Sequence, residues 1–114
     1  MGTKKTVFKL LTILRSHKGK GKPVTALKLS GKLRIPEREV RQMISDLVTN
    51  KKILIASRVR KPYGFYLITS LDELKECLAQ YHSRLKNLKA RTESLYKAGL
   101  IKFAKDIQDE FKFD

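Results

Sequence analysis

Apolar residues at Val7, Leu10, Leu11 and Leu14 recur at helical spacing, with Phe8 and Ile13 widening the stripe. They predict a first helix over residues 5–17 that buries one face. Lys18 to Pro23 alternates Lys with Gly and ends in Pro, which reads as a loop with solvated lysines. Leu27, Leu29 and Leu33 then mark a short second helix, closed by a turn at Arg34 and Ile35. Pro36 opens a third helix, since a first-turn proline leaves no amide unpaired, and Glu37 and Glu39 suit the positive end of the helix dipole. Val40, Met43, Ile44 and Leu47 supply its buried stripe. Ile53–Arg60 and Phe65–Thr69 are rich in branched and aromatic residues and flank a Pro and a Gly, which predicts a hairpin with a basic turn.

From Leu71 onward the spacing changes to alternating threes and fours: Leu71, Leu74, Leu78, Tyr81, Leu85, Leu88 and Leu95, with Thr92 in the remaining place. This heptad seam predicts a long helix over 71–98, with Gly99 at its end. With Leu71 at position a, the flanking e sites hold Lys75, His82, Lys89 and Tyr96, and the g sites hold Ser70, Cys77, Arg84 and Arg91. A simple two-stranded homodimer sets cation against cation in either orientation and is poorly specified. Residues 99–114 carry a second stripe of Leu100, Phe103, Ala104, Ile107 and Phe111 beside Asp106, Asp109 and Glu110. Those acids suit the seam's cations, so a tail helix that folds back on the seam is the favoured arrangement. Exchange of the tail between two chains, or docking of its Phe stripe on another protein, are the rivals. Leu74, Leu78, Tyr81, Leu85, Leu88, Phe103, Ile107 and Phe111 are the residues expected to carry oligomer or tail packing.

Helix, helix, turn, helix, hairpin is an order that the winged variant of the helix-turn-helix uses in full. In that arrangement the second helix of the motif enters the major groove. Turning about 100° per residue from Val40, Arg38, Gln42, Ser45 and Thr49 project away from the core, with Arg41 on their flank. Arg can pair bidentately with guanine and Gln with adenine. The hairpin tip offers Arg58, Arg60, Lys61 and Tyr63, with Tyr66 nearby, to a backbone or a minor groove. Lys28, Lys32 and Arg34 around the turn, with Lys4 and Lys5 at the start, are placed for flanking phosphates. A polar outer face is also what any surface helix shows, and a basic strand edge also discourages aggregation.

The segment LSGKLRIPEREVRQMISDLV, followed by PYGFYLIT, resembles the winged helix-turn-helix families over roughly residues 5–70. It is most similar to the small type at the start of the biotin-operon repressor and in many phage-encoded proteins. The resemblance implies a second helix, turn and recognition helix, then a wing's returning strand, and DNA binding in general terms. Ser30 stands where that family places a small residue for close helix packing. Arg34 stands where Gly is usual at the turn, and Pro36 where Ser or Thr often caps the recognition helix.

Charge sharpens this picture. Residues 1–70 hold 17 of the 26 Lys and Arg but 3 of the 11 acids, a net +14, whereas residues 71–114 carry 9 bases and 8 acids. So polarised a segment suits a polyanion, and nucleic acid is the commonest one. A lone Cys77 with His17 and His82 provides neither a disulfide framework nor a zinc constellation, and no nucleophile stands beside a base motif. No enzyme, metal or cofactor is expected. The absence of a long apolar run and of a signal-peptide core behind Met1–Lys5 points to a cytoplasmic protein without a membrane partner.

The sequence therefore predicts a mainly α chain with a small β-hairpin. A winged helix-turn-helix domain (1–70) precedes a long helix (71–98) and a short tail helix (99–114). The expected function is sequence-specific binding of double-stranded DNA for transcriptional regulation, reading the major groove with residues 36–50 and phosphates or the minor groove with the wing at 58–66. Alternatives are a DNA-binding accessory or replication protein of a phage or mobile element, and a protein-interaction module built on the long helix and tail. RNA binding is less well supported, because the exposed aromatic platform is thin.

Overall fold

Leu10, Leu14, Val24, Leu29 and Val40 are the largest side chains with essentially no exposure, and the rest of the first core forms around them. Each such burial contributes about 1.5–3 kcal/mol. The computed structural model describes residues 3–110, with side-chain surroundings for residues 3–104. Its elements are α1 (Lys4–Leu14), α2 (Ala26–Leu33), α3 (Glu37–Thr49), β1 (Ile55–Arg58), β2 (Gly64–Leu67) and α4 (Leu71–Glu110). The chain is thus mainly helical, with a two-stranded antiparallel hairpin and a long C-terminal helix. It divides into two units, Met1–Cys77 and Leu78–Asp114, with the boundary inside α4 rather than at residue 70.

In α1 the expected stripe is buried at Leu10 and Leu14, while Phe8 is 67% exposed. The helix begins after Thr3, whose hydroxyl accepts the Thr6 amide at 3.2 Å. It stops at Leu14 because the amides of Ser16 and His17 reach back only three residues, to Ile13 and Leu14. Thr25 caps α2 by accepting the Lys28 amide at 3.1 Å. That start puts Ala26, Leu29 and Leu33 on the core face and turns Leu27 outward, 70% exposed, a correction to the stripe read from sequence.

Between α2 and α3, Arg34 adopts the left-handed conformation, φ 56° and ψ 44°. This is the backbone for which glycine is the low-cost residue. Ser30 spans the turn: its hydroxyl donates to the Ile35 carbonyl and its own carbonyl accepts the Ile35 amide. Pro36 is the residue before α3 rather than its first member, extended at φ −61° and ψ 152°, with its carbonyl accepting the Val40 amide. Val40, Met43, Ile44 and Leu47 are all buried, as the periodicity requires.

The hairpin strands are four residues each, with Ile55 opposite Leu67 and Arg58 opposite Gly64. The Lys61–Pro62 peptide in the turn is cis. Isolated bridges line the free edge of β2, Val24 with Phe65 and Lys18 with Leu67, so β2 is flanked on both sides. Gly64, at φ +139°, lies so close to Val24 that a Cβ there would stand 2.6 Å from the Val24 carbonyl carbon and oxygen. Both faces of β2 are covered. Phe65 joins the first core, and Tyr66 packs into a second with Ala56, Cys77 and Ile68.

α4 runs through Gly99 without reversing and departs from helical values at Ala104, φ 15° and ψ −84°. The expected end at residue 98 and a reversal at Gly99 are therefore not found, while the packing of the tail's side chains beyond Ala104 lies outside the described residues. One glycine costs about 1 kcal/mol relative to alanine, too little to end a helix flanked by good helix formers. Leu78, Tyr81, Leu85, Leu88 and Leu95 are exposed, as is Phe103, whereas Leu74 is half-buried. The Ile107 side chain and Phe111 lie outside the described residues.

Candidate nucleic-acid interface

A helix that buries Val40, Met43, Ile44 and Leu47 must present its opposite side to solvent. On α3 that side carries Arg38, Gln42, Ser45 and Thr49, all exposed, with exposed Arg41 beside them. The five side chains expected from sequence thus share one accessible face. Lys28 and Lys32 on α2, and Arg34 in the turn, are also exposed. Among the described residues none of these cations is held in an ion pair; the salt bridge present joins Lys20 to Glu76 at 3.1 Å.

The hairpin contributes Arg60, Lys61 and Tyr63, each exposed at its turn. Arg58 differs. It is half-buried and donates from a guanidinium nitrogen to the Lys20 carbonyl at 2.8 Å, so part of its hydrogen-bonding capacity holds the Lys–Gly loop. Tyr66, placed near the wing by sequence, is core: it is 3% exposed. Burial, followed by the nearby negative charge of Glu73, pushes its phenol above the ordinary value of 10.0.

Arg41 links the two parts of the surface. Its guanidinium carbon lies 5.8 Å from the centroid of the Phe65 ring, which fixes the flank of α3 against β2. The same arginine lines a cleft of about 310 Å³ with Thr25, Leu27, Glu37, Arg58 and Tyr63. Two arginines, a tyrosine and the acidic Glu37 therefore line one opening between α2, α3 and the hairpin.

Local backbone supports the arrangement. A non-glycine residue in the left-handed region costs of order 1 kcal/mol. Arg34 takes that conformation with its side chain in solvent, so what the arginine supplies at the turn is an exposed charge. The position of Arg34 in the turn was legible from sequence; its left-handed backbone is the structural reason why glycine is the residue expected there.

The role of Glu73 was not legible. Its Oε1 accepts the Thr69 amide at 2.9 Å and the Thr69 hydroxyl at 3.2 Å, and its Oε2 accepts the Lys20 amide at 2.9 Å. These amides, Thr69 first and then Lys20, hold the carboxyl below its ordinary value of 4.5. The backbone of the Lys18–Pro23 loop is consequently tied down, while Lys18, Lys20 and Lys22 are exposed as expected. His17 Nδ1 meets the Lys22 carbonyl at 2.8 Å, and the Gly19 amide donates to Leu67 at 2.9 Å. The anchored loop in turn accepts the Arg58 guanidinium at the Lys20 carbonyl.

Among the described residues no group of three His, Cys, Asp or Glu side chains is placed to hold a metal. No helix among them is long and apolar enough to cross a membrane. No protein-family model, curated protein or solved structure matches the chain.

Proposed function

We propose that the first unit is a winged helix-turn-helix that binds double-stranded DNA, with α3 as its recognition helix and the β1–β2 turn as its wing. The observation that carries this reading is the single exposed face of α3. Arg38, Gln42, Ser45 and Thr49 project from it opposite a fully apolar buried stripe, with exposed cations on the turn before it and the hairpin beside it. Arg and Gln on such a face have the donors and acceptors to discriminate base edges in a major groove. Lys28, Lys32, Arg34, Arg60 and Lys61 supply charge for phosphates, which positions the protein without reading sequence. Sequence-specific transcriptional regulation is the use we assign to this surface; a DNA-binding accessory role in a phage or mobile element would use the same contacts.

Titration of a labelled duplex of random sequence against the protein, repeated over a series of salt concentrations, tests the reading. Affinity falls linearly on a log–log scale, with a slope near −0.9 for each phosphate neutralised. Sequences recovered from a random pool share a motif. No binding to duplex even at low salt overturns the proposal.

A further inference from the structure

The cleft between α2, α3 and the hairpin lies beside the proposed DNA face, and that reading leaves it without an occupant. Its volume is about 310 Å³, and Glu37, Arg41, Ser57, Tyr63 and Phe65 line it. Ser57 and Phe65 are cross-strand partners, so they present the same face of the hairpin to it. The Arg41 guanidinium carbon lies 5.8 Å from the centroid of the buried Phe65 ring, and Tyr63, two residues before Phe65, is 53% exposed. Two aromatic rings and a planar guanidinium thus border one opening. Glu37 and Arg41 are four apart on α3, yet the salt bridge among the described residues lies elsewhere, between Lys20 and Glu76. A carboxylate acceptor and a guanidinium donor therefore stand side by side without neutralising each other. Arg58 also lines the cleft, but one of its guanidinium nitrogens is engaged by the Lys20 carbonyl at 2.8 Å.

Flat groups next to a paired donor and acceptor are what a nucleobase requires. Its faces stack on aromatic rings and guanidinium planes, and its edge carries donors beside acceptors. A free metabolite of similar chemistry would have no use for the exposed cations that adjoin the lining residues in sequence, Lys28 after Leu27 and Arg60 and Lys61 before Tyr63. A nucleotide within a strand does, because it has a phosphate on either side. We infer that the cleft receives one unstacked nucleobase, so that the preferred target is duplex DNA carrying an unpaired base beside the stretch that α3 reads. This rests on the DNA-binding reading above and names its class of target. An unpaired base is favoured because extruding a paired one costs unstacking and lost pairing, and that cost is least where the partner base is missing. Arg41 and Glu37 then act on the extruded base, while Arg38, Gln42, Ser45 and Thr49 face the groove.

Two labelled duplexes, identical except that one carries a single bulged cytosine, are titrated with the full chain at one salt concentration, so that the phosphate contribution is shared. The bulged duplex binds at least about fivefold tighter, the gain expected from stacking one base. Tyr63→Ala brings the ratio of the two affinities close to one, and Tyr63→Phe keeps it. Tyr63 is exposed, so neither change disturbs the core. Equal affinity of the parent for both duplexes overturns this inference and leaves the DNA reading standing, whereas no binding to either overturns both. A ratio unchanged by Tyr63→Ala also overturns it. Position is read by placing 5-iodocytosine at the bulge and irradiating the complex. The crosslinked peptide contains Tyr63 or Phe65, and crosslinks confined to other segments overturn the assignment of the cleft.

Discussion

Glu73, in the first turn of α4, accepts the backbone amide of Lys20 at 2.9 Å, a contact between residues 53 apart in sequence. The other carboxylate oxygen closes on Thr69. One buried acid thus joins the Lys–Gly loop, the end of the hairpin and the start of the long helix.

This contact makes stability depend on acid. Glu73 titrates below its ordinary value of 4.5 in the fold, so its ionised form stabilises the native state at any pH above that value. The contribution is lost as pH falls through the lower, native value. Glu73→Gln should cost about 1–2 kcal/mol at neutral pH and flatten the acid limb of the stability curve. Urea unfolding of both proteins across the acid range measures both effects.

Arg34→Gly should separate stability from binding. Glycine relieves the left-handed backbone, offset in part by its greater freedom when unfolded, for a net gain of about 0.5–1 kcal/mol. The same change removes an exposed cation, so duplex affinity falls and its salt slope becomes shallower by about one contact. Denaturant midpoint and salt-dependent binding, measured on one preparation, report the two opposed outcomes.

Gly64→Ala should destabilise the first unit by about 2 kcal/mol or more, since its Cβ would meet Val24 backbone that is itself bridged to Phe65. A thermal unfolding midpoint within error of the parent's would contradict the close approach.

On the proposed DNA face, Gln42→Ala or Arg38→Ala should relax preference at one base position by about 1–3 kcal/mol. Lys61→Ala should weaken all sequences alike. Binding to a selected site and to an unrelated duplex, compared for each variant, distinguishes base reading from phosphate contact.

The sequence revealed what repeats locally and concealed what depends on distant partners. The stripes of Leu10 with Leu14, and of Val40 with Leu47, were visible because helical periodicity is a property of neighbouring residues. The outward residues of α3 follow from the same geometry. Leu27 was misread because the capping position of Thr25, not hydrophobicity, sets which face of so short a helix turns inward. Gly99 was read as a stop when its cost was small beside the propensity of its flanks. Tyr66 was placed near the wing by its closeness to the hairpin tip in sequence, and its burial against Ala56, Ile68 and Cys77 depends on the start of α4. Glu73 is, by its position in sequence, an ordinary first-turn acid of α4, and nothing near it announces Lys20.

With Tyr66 roofed by Cys77 and Glu73 gripping the loop, the first two turns of α4 are structural parts of the unit that carries the proposed DNA surface. The smallest piece of chain expected to keep that unit folded therefore ends after Cys77. Cutting at Ser70, where the hairpin ends, would strip one face of the sheet bare and release the base of the hairpin, so the boundary between these two units is drawn inside a helix, two turns from its start.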